Sequence, residues 1–238
     1  MEIKRIDITF DTRSDSKGKD PDSASKTLKQ YHKLLWSKPL PGGKLFRLDD
    51  KRSGSYLYHK SELGEFFLSS DSVIHTYFRW PKTQHIIAQV PKDVMNYFYT
   101  LAWTVGGFMV FPGNSINRKH TMNQARGINK RINDRFDLTL ECIRMYYQDE
   151  TSPLFEAIKR YDDFFSLFVD FKGYCEFFML QDLVNDDYTR VNFFLPFEGF
   201  ISNPIPRDLD EYNVYMKNNI DFIKKRNQRI DAYNKQIM

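Results

Sequence analysis

The sequence predicts an α+β fold, in which a small mixed or antiparallel sheet from the first half is packed by a mostly helical second half. Short segments rich in aromatic and aliphatic residues, separated by turn-forming residues, occupy the first half, whereas long runs with helical spacing fill the second. The composition, 41% hydrophobic and 16% aromatic, supplies a packed core and excludes a mainly disordered chain. Because the composition shifts nowhere abruptly, we expect one domain over residues 1–238, ending in a helix at about 209–237.

The elements of the first half follow from alternation, capping and turn chemistry. Ile3 to Phe10 alternates apolar and polar residues and predicts an opening strand. Ser25 can cap a helix over Lys26 to Trp36. Three short strands are predicted next, at Lys44 to Leu48, Ser55 to His59 and Glu65 to Leu68. Ser70 to Ser72 then predicts the start of a short helix toward Trp80.

The elements after Trp80 are mostly helical. A helix is predicted to follow Pro91 and to run to about Thr104. A buried strand at Phe108 to Phe111 and a long polar loop come next. The later helices are expected at Ile132 to Gln148, Pro153 to Tyr161, Phe164 to Leu183 and Leu209 to Ile237, with a β interlude at Val191 to Pro196.

The net charge and the apolar segments of the sequence indicate which partners and which location to expect. The net charge of +4 permits a polyanionic partner without implying one. The most apolar run, Tyr97 to Phe111, is about 15 residues long, whereas a bilayer span needs about 20. The start, MEIKRIDITF, has no long apolar core and does not predict a secretory signal. We therefore expect no membrane association, a cytoplasmic location, and two buried thiols at Cys142 and Cys175.

The polar loop before residue 132 is the first candidate binding site. Between Arg118 and Arg131 its cations alternate with amide side chains, and there is no acidic residue. This pattern is suited to binding phosphate or nucleic acid. A solvated basic loop is the alternative. The predicted ligand-binding residues are Arg118, Lys119, Asn123, Arg126, Lys130 and Arg131.

The helix that follows the loop is the second candidate. Asp134, Asp137, Glu141 and Arg144 are spaced three, four and three residues apart and share one helical face. Carboxylates at this spacing could hold a divalent cation or position arginines, and the alternative is a solvated face with local ion pairs.

Histidine supplies the candidate acid or base. His59 lies at the end of a predicted strand, and no histidine has the spacing of a metal motif. The segment from His59 to Ser72 has a faint similarity to NAD-using ADP-ribosyl transferases, although the spacing from His59 to Gly64 is too short for their intervening helix. If the chain is an enzyme, His59, Arg126 and Asp137 should converge in one cleft.

Several segments together resemble an uncharacterised bacterial protein family. They are DPDSASKTLKQYHKLLWSKPLP (Asp20 to Pro41), SELGEFFLSSDS (Ser61 to Ser72), NQARGINKRINDRFDLTLECIR (Asn123 to Arg144) and the stretch from Arg160 to Val184. The resemblance extends from about Asp11 to about Ile230. It implies a bacterial setting and carries no reaction or catalytic residue.

Two hypotheses of function follow. In the first, the chain binds or processes a phosphate-bearing ligand, a nucleotide or nucleic acid, with His59, Asp134, Asp137 and Glu141 as candidate catalytic residues. In the second, it is a non-catalytic module that docks another protein or a second copy of itself, and the basic and apolar faces of the Leu209 to Ile237 helix favour this. NAD-dependent ADP-ribosyl transfer is a lesser alternative.

Overall fold

Two small antiparallel sheets carry the strands of the chain, which a computed structural model describes over residues 5–49 and 57–238. The first sheet pairs β1 (Lys38–Pro39) with β2 (Leu45–Phe46). The second has the order β3 (Leu57–Ser61), β4 (Gly64–Ser72), β5 (Phe108–Pro112). The predicted antiparallel sheet in the first half is confirmed.

Helices precede the sheets and fill the second half of the chain. The α-helices are α1 (Pro21–Ala24), α2 (Lys26–Trp36), α3 (Gln84–Ile87), α4 (Lys92–Ala102), α5 (Met122–Ile128), α6 (Phe136–Tyr147), α7 (Phe155–Lys159), α8 (Asp162–Phe165), α9 (Phe171–Phe177) and α10 (Leu209–Ile237). Short 3₁₀ turns lie at Thr12–Asp15, Val105–Gly107, Ser166–Phe168 and Gln181–Leu183. The α+β class predicted from the sequence is therefore confirmed.

The long C-terminal helix α10 packs against the core along its whole length. Tyr212, Phe222 and Ile230 on its inner face are almost completely buried. Arg226 on the same face donates to the carbonyl oxygens of Gly106, Phe108 and Phe178 at 3.0, 2.6 and 3.0 Å. The apolar face that favoured a docking module therefore belongs to the core, while Lys217, Lys224 and Lys225 remain exposed.

Three predicted elements are wrong over the described residues. Residues 5–10 form no strand, because the amide of Ile6 donates to Oδ1 of Asn234 at 2.8 Å rather than to a neighbouring strand. Ser70 to Ser72 starts no helix, because these residues pair with β5 as the end of β4. The predicted Phe164 to Leu183 helix is interrupted at Val169, whose φ of 70° is left-handed, and Asp170 caps a new helix.

Two further differences concern shorter segments. Val191 to Pro196 forms only an isolated bridge from Val191 to Val184. The polar loop contains the unpredicted helix α5, which begins with a capping box between Thr121 and Gln124. Parts of two predicted strands, at residues 3–4 and 55–56, lie outside the described residues.

Two further predictions concern membrane-spanning helices and the two cysteines. No helix among the described residues is both long and apolar enough to cross a bilayer. Cys142 and Cys175 are both free and buried, as predicted.

Candidate functional site

A cleft of about 560 Å³ lies where α1, the end of β4, the turns after β4 and the end of α4 meet. We call it the Asp22 cleft, after one of the residues that line it. Its volume is in the range of small-molecule sites, which run from about 300 to 1,000 Å³. Its lining combines carboxyl groups, a histidine, cations and aromatic rings. The carboxyl groups are those of Asp20, Asp22 and Asp71, the histidine is His75, the cations are Arg13, Lys19 and Arg79, and the aromatic rings are those of Phe78, Tyr99 and Trp103.

Asp71, which lines the cleft from β4, is held in place by a buried arginine. Arg126 on α5 is completely buried, and its Nη1 donates to Oδ2 of Asp71. Its Nε donates to the Thr139 hydroxyl at 3.0 Å, and its Nη2 donates to the Asp134 carbonyl at 3.2 Å. The amide of Ser72 donates to Oδ1 of Asp71 at 2.9 Å. Both oxygens of this carboxyl group therefore accept hydrogen bonds, which favours the ionised form.

Asp22 brings a second carboxyl group beside Asp71. Asp20 caps α1 by accepting from the Asp22 amide at 3.1 Å, which fixes the helix end against the sheet. Oδ1 of Asp22 is buried and has no hydrogen-bond partner among the described residues. Burial, followed by the charges of Asp71 and Asp20, raises the pKa of Asp22 well above its usual value. Burial also raises the pKa of Asp71 to about 6, against the opposing effect of Arg126.

His75 contributes a ring whose tautomer is fixed by the backbone. The amide of Tyr77 donates to Nδ1 of His75 at 3.0 Å, so the proton of the neutral ring lies on Nε2. Burial lowers the pKa of His75, while the charge of Asp134 opposes that shift. Nε2 has no hydrogen-bond partner among residues 5–49 and 57–238, and His75 lines the cleft. The neutral ring can therefore donate one hydrogen bond to a ligand.

An aromatic row, defined as Phe78, Tyr99 and Trp103, lines the side of the cleft near α4. The ring centroids of Phe78 and Tyr99 are 6.0 Å apart, and those of Tyr99 and Trp103 are 6.2 Å apart. Phe78 is 54% exposed. The indole nitrogen of Trp103 is buried and donates to no acceptor in the described part of the chain. A buried donor without an acceptor is uncommon in folded proteins.

Three cationic side chains line the outer part of the cleft. Arg13 lies 4.8 Å above the Tyr99 ring and is already paired with Asp11. Lys19 and Arg79 are exposed and form no ion pair with any described residue. Two cations therefore remain available to a ligand at the mouth.

The histidine predicted from the sequence lies elsewhere. His59 is 3% exposed, and its ring stacks on Phe46 with 4.2 Å between centroids. Its Nδ1 lies 2.8 Å from the Arg47 carbonyl oxygen, and its Nε2 lies 2.8 Å from the Ser61 hydroxyl. Both ring nitrogens are engaged by the protein, so His59 has the surroundings of a core residue. It does not converge with Arg126 and Asp137, and none of the three lines the Asp22 cleft.

The predicted carboxylate face of α6 pairs with arginines. Asp137 is completely buried and pairs with Arg135, and its Oδ2 accepts from the Phe194 amide at 2.9 Å. Glu141 pairs with Arg144 at 2.8 Å. Asp134 precedes α6, and its carboxylate lies 3.4 Å from the place where a Cβ on Gly127 would be. Asp137 and Glu141 thus form local ion pairs with Arg135 and Arg144, and neither pairs with a cation of the preceding loop among the described residues.

The predicted loop residues separate into two groups. Arg118, Lys119, Lys130 and Arg131 are exposed and form no ion pair with a described residue. Asn123 donates to the Ser70 carbonyl at 3.2 Å and so ties α5 to β4. The prediction that Arg126 binds a ligand is wrong, because its guanidinium is completely buried in the protein and is not accessible to a phosphate.

A divalent cation was the one cofactor anticipated from the sequence. Over residues 5–49 and 57–238, no group of three or more His, Cys, Asp or Glu side chains has an arrangement that could hold a metal ion. The predicted cation has no identified ligand set within this part of the chain.

Sequence reasoning missed the residues that line the Asp22 cleft. Asp22 and Trp103 come together with Asp71 only through the packing of α1 and α4 near the end of β4. A partial signal was present, because Asp71 and His75 are four residues apart and Asp20 and Asp22 flank Pro21. No local pattern indicates that these two segments meet.

The chain belongs to a family described as "Family of unknown function (DUF6994)", whose model matches residues 6–230. The resemblance noted in the sequence to an uncharacterised family is thereby confirmed. No curated protein matches the chain, and no solved structure does.

Proposed function

We propose that this member of a family of unknown function binds a small phosphate-bearing ligand of the nucleotide type in the Asp22 cleft. One observation carries the proposal: Lys19 and Arg79, which form no ion pair with a described residue, line the same cavity as the aromatic row. The cations would bind phosphate, and the rings would stack on a base.

The interior of the cleft offers hydrogen bonds suited to a base or a sugar. Trp103 Nε1 and His75 Nε2 are donors without a protein acceptor among the described residues. The Asp22 carboxyl group has an oxygen without a partner in the same part of the chain. Bases and sugars carry acceptors and hydroxyl groups that can use all three. Inorganic phosphate or a simple polyanion would leave the aromatic row and these groups unused.

The catalytic set expected from the sequence does not support the proposal, because His59, Arg126 and Asp137 have separate surroundings. The proposal rests on a different group of residues. The exposed loop cations, such as Arg118 and Lys130, form a competing phosphate site, which would suit an extended nucleic acid better than a small ligand.

Calorimetric titration of the full chain with AMP, ADP and ATP tests the proposal. We expect binding that the double variant Lys19→Ala/Arg79→Ala weakens by about 100-fold or more, since each of the two charge-assisted contacts is worth about 1.5 kcal/mol or more. The matched control is Lys130→Ala/Arg131→Ala, which removes the same number of exposed charges from the loop. Loss of binding in the control alone would assign the phosphate site to the loop. Absence of binding to all three nucleotides would refute the proposal.

A further inference from the structure

Asp22 and Asp71 form an adjacent pair of carboxyl groups in one cleft. The Ser72 amide donates to Asp71 at 2.9 Å and also lies close enough to Asp22 to favour its ionised form. Asp71 is held on both oxygens, by Ser72 and by Arg126, whereas Oδ1 of Asp22 is buried without a partner among the described residues. The two carboxyl groups therefore have different environments. A general acid and a general base need such a difference, because it keeps one group protonated and the other ionised.

One proton shared by this pair belongs on Asp22. Two adjacent, partly buried carboxylates do not both ionise readily, because like charges repel. The guanidinium of Arg126 stabilises the ionised form of Asp71, while the charges of Asp71 and Asp20 oppose ionisation of Asp22. The pair therefore offers a carboxylic acid next to a carboxylate.

Asp134 acts on the pair from another element, and His75 lines the same cleft. Asp134, just before α6, raises the pKa of Asp71. The same carboxylate partly opposes the effect of burial on His75, whose pKa remains below its usual value. The pH dependence of the pair thus includes Asp20, Asp134, His75 and Arg126.

The charges in the cleft favour a phosphate at the mouth and a sugar in the interior. Lys19 and Arg79 are exposed at the mouth, whereas Asp22 has a buried carboxyl oxygen in the interior. A phosphate would be repelled by the interior and attracted to the mouth. Positive charge that develops on a sugar ring would be stabilised by the Asp71 carboxylate. Hydrolysis of a bond at the anomeric carbon passes through such a positively charged transition state.

We propose that the Asp22 cleft hydrolyses the glycosidic bond that joins base to sugar in the bound nucleotide, an inference that rests on the proposed function. The Asp22 carboxylic acid gives its proton to the base nitrogen as the C1′–N bond breaks. A water molecule adds to C1′, and Asp71 accepts the proton that this water loses. Transfer of that proton from Asp71 to Asp22 restores the pair. One nucleotide and one water thus give one sugar phosphate and one free base.

The test is a chromatographic assay for free base after incubation of the full chain with AMP, GMP, CMP or UMP. We expect release of base from at least one probe and a rate about 100-fold lower in Asp22→Asn and in Asp71→Asn, as for loss of an acid or base. The matched control is Asp187→Asn, which changes an exposed carboxylate far along the chain.

Calorimetry on the same variants separates the two proposals. Binding of nucleotide by wild type without release of base, or wild-type rates in Asp22→Asn, would overturn the hydrolysis and leave the proposed function standing. Absence of both binding and cleavage would overturn both. The rate in wild type should also fall at low pH, where Asp71 is protonated, and at high pH, where Asp22 loses its proton. A rate that does not depend on pH between 4 and 9 would contradict the assigned roles.

Discussion

Arg126 on α5 donates to Asp71 on β4 across 55 residues of sequence, and the arginine side chain is completely buried. The contact ties the helix within the polar loop to the strand that lines the Asp22 cleft. Arg126→Met should lower the free energy of unfolding by about 3–5 kcal/mol, because it leaves a largely buried carboxylate without its partner. Urea unfolding measures this directly.

Two variants serve as controls for that prediction. Arg131→Met makes the same substitution on an exposed neighbour and should change the free energy of unfolding by less than about 0.5 kcal/mol. Arg126→Met/Asp71→Asn should cost less than the sum of the two single changes, because neither partner is then left alone. Additive costs would contradict the ion pair.

The raised pKa of Asp22 predicts that replacing it by the neutral residue asparagine stabilises the folded protein more at high pH than at low pH. Because the folded pKa lies above the unfolded value, the folded chain binds more protons between the two, and wild type loses stability as pH rises through that window. Asp22→Asn removes this loss, so its melting temperature relative to wild type should rise from pH 4.5 to pH 8. The gain is at most about 1.4 kcal/mol per pH unit.

Asp187→Asn is the matched control for the pH series. Hydrogen bonds from Thr189 lower the pKa of the exposed Asp187, so its ionised form is favoured in the folded chain and no gain with rising pH is expected. A melting-temperature difference for Asp22→Asn that is constant across the pH range would show that Asp22 is ionised normally.

Gly107 lies where any side chain would strike the backbone. A Cβ at this position would lie 2.1 Å from the carbonyl oxygen of Ala102, the last residue of α4. Gly107→Ala should therefore destabilise the protein by about 3 kcal/mol, because backbone must move to admit the methyl group. Gly42→Ala is the control, since a Cβ on Gly42 would meet nothing within 4 Å. Equal melting temperatures for the two variants would contradict the close approach of Gly107 to the end of α4.

Arg226 should not be replaceable by lysine. Its guanidinium donates to three carbonyl oxygens from two segments, those of Gly106 and Phe108 before and in β5 and that of Phe178 after α9. A lysine ammonium is a single point of charge and cannot reproduce the planar fork. Arg226→Lys should lower the urea midpoint of unfolding clearly, whereas Lys225→Arg, an exposed neighbour, should leave it unchanged. Equal midpoints would show that these carbonyls do not need the guanidinium.

Local patterns predicted the helices better than they predicted the site. The bounds Lys26 to Trp36 and Leu209 to Ile237 match the structure, because apolar spacing and a capping residue are both local signals. Ser70 to Ser72 resembled a helix start, but its pairing with β5 depends on residues nearly 40 positions away. Tertiary pairing overrode the local capping preference.

The site was missed for the same physical reason. Arg126 is a cation within a basic loop, and only its contact with distant Asp71 turns it into a buried structural residue. His59 looked catalytic because histidine often is, yet its neighbours Phe46 and Arg47 lie on another sheet segment. Asp22 and Trp103 carry no motif, and their shared cleft exists only in the folded chain.

The indole signals of the three tryptophans give the most direct test of ligand binding in the Asp22 cleft. In a ¹⁵N NMR titration with AMP, the Trp103 signal, assigned with Trp103→Phe, should shift and saturate because its buried Nε1 gains a neighbour. The Trp36 signal should not move, because its Nε1 already donates to His32 at 3.0 Å. A Trp103 signal that remains in place while AMP binds, or with AMP in large excess, would contradict the assignment of the nucleotide to this cleft.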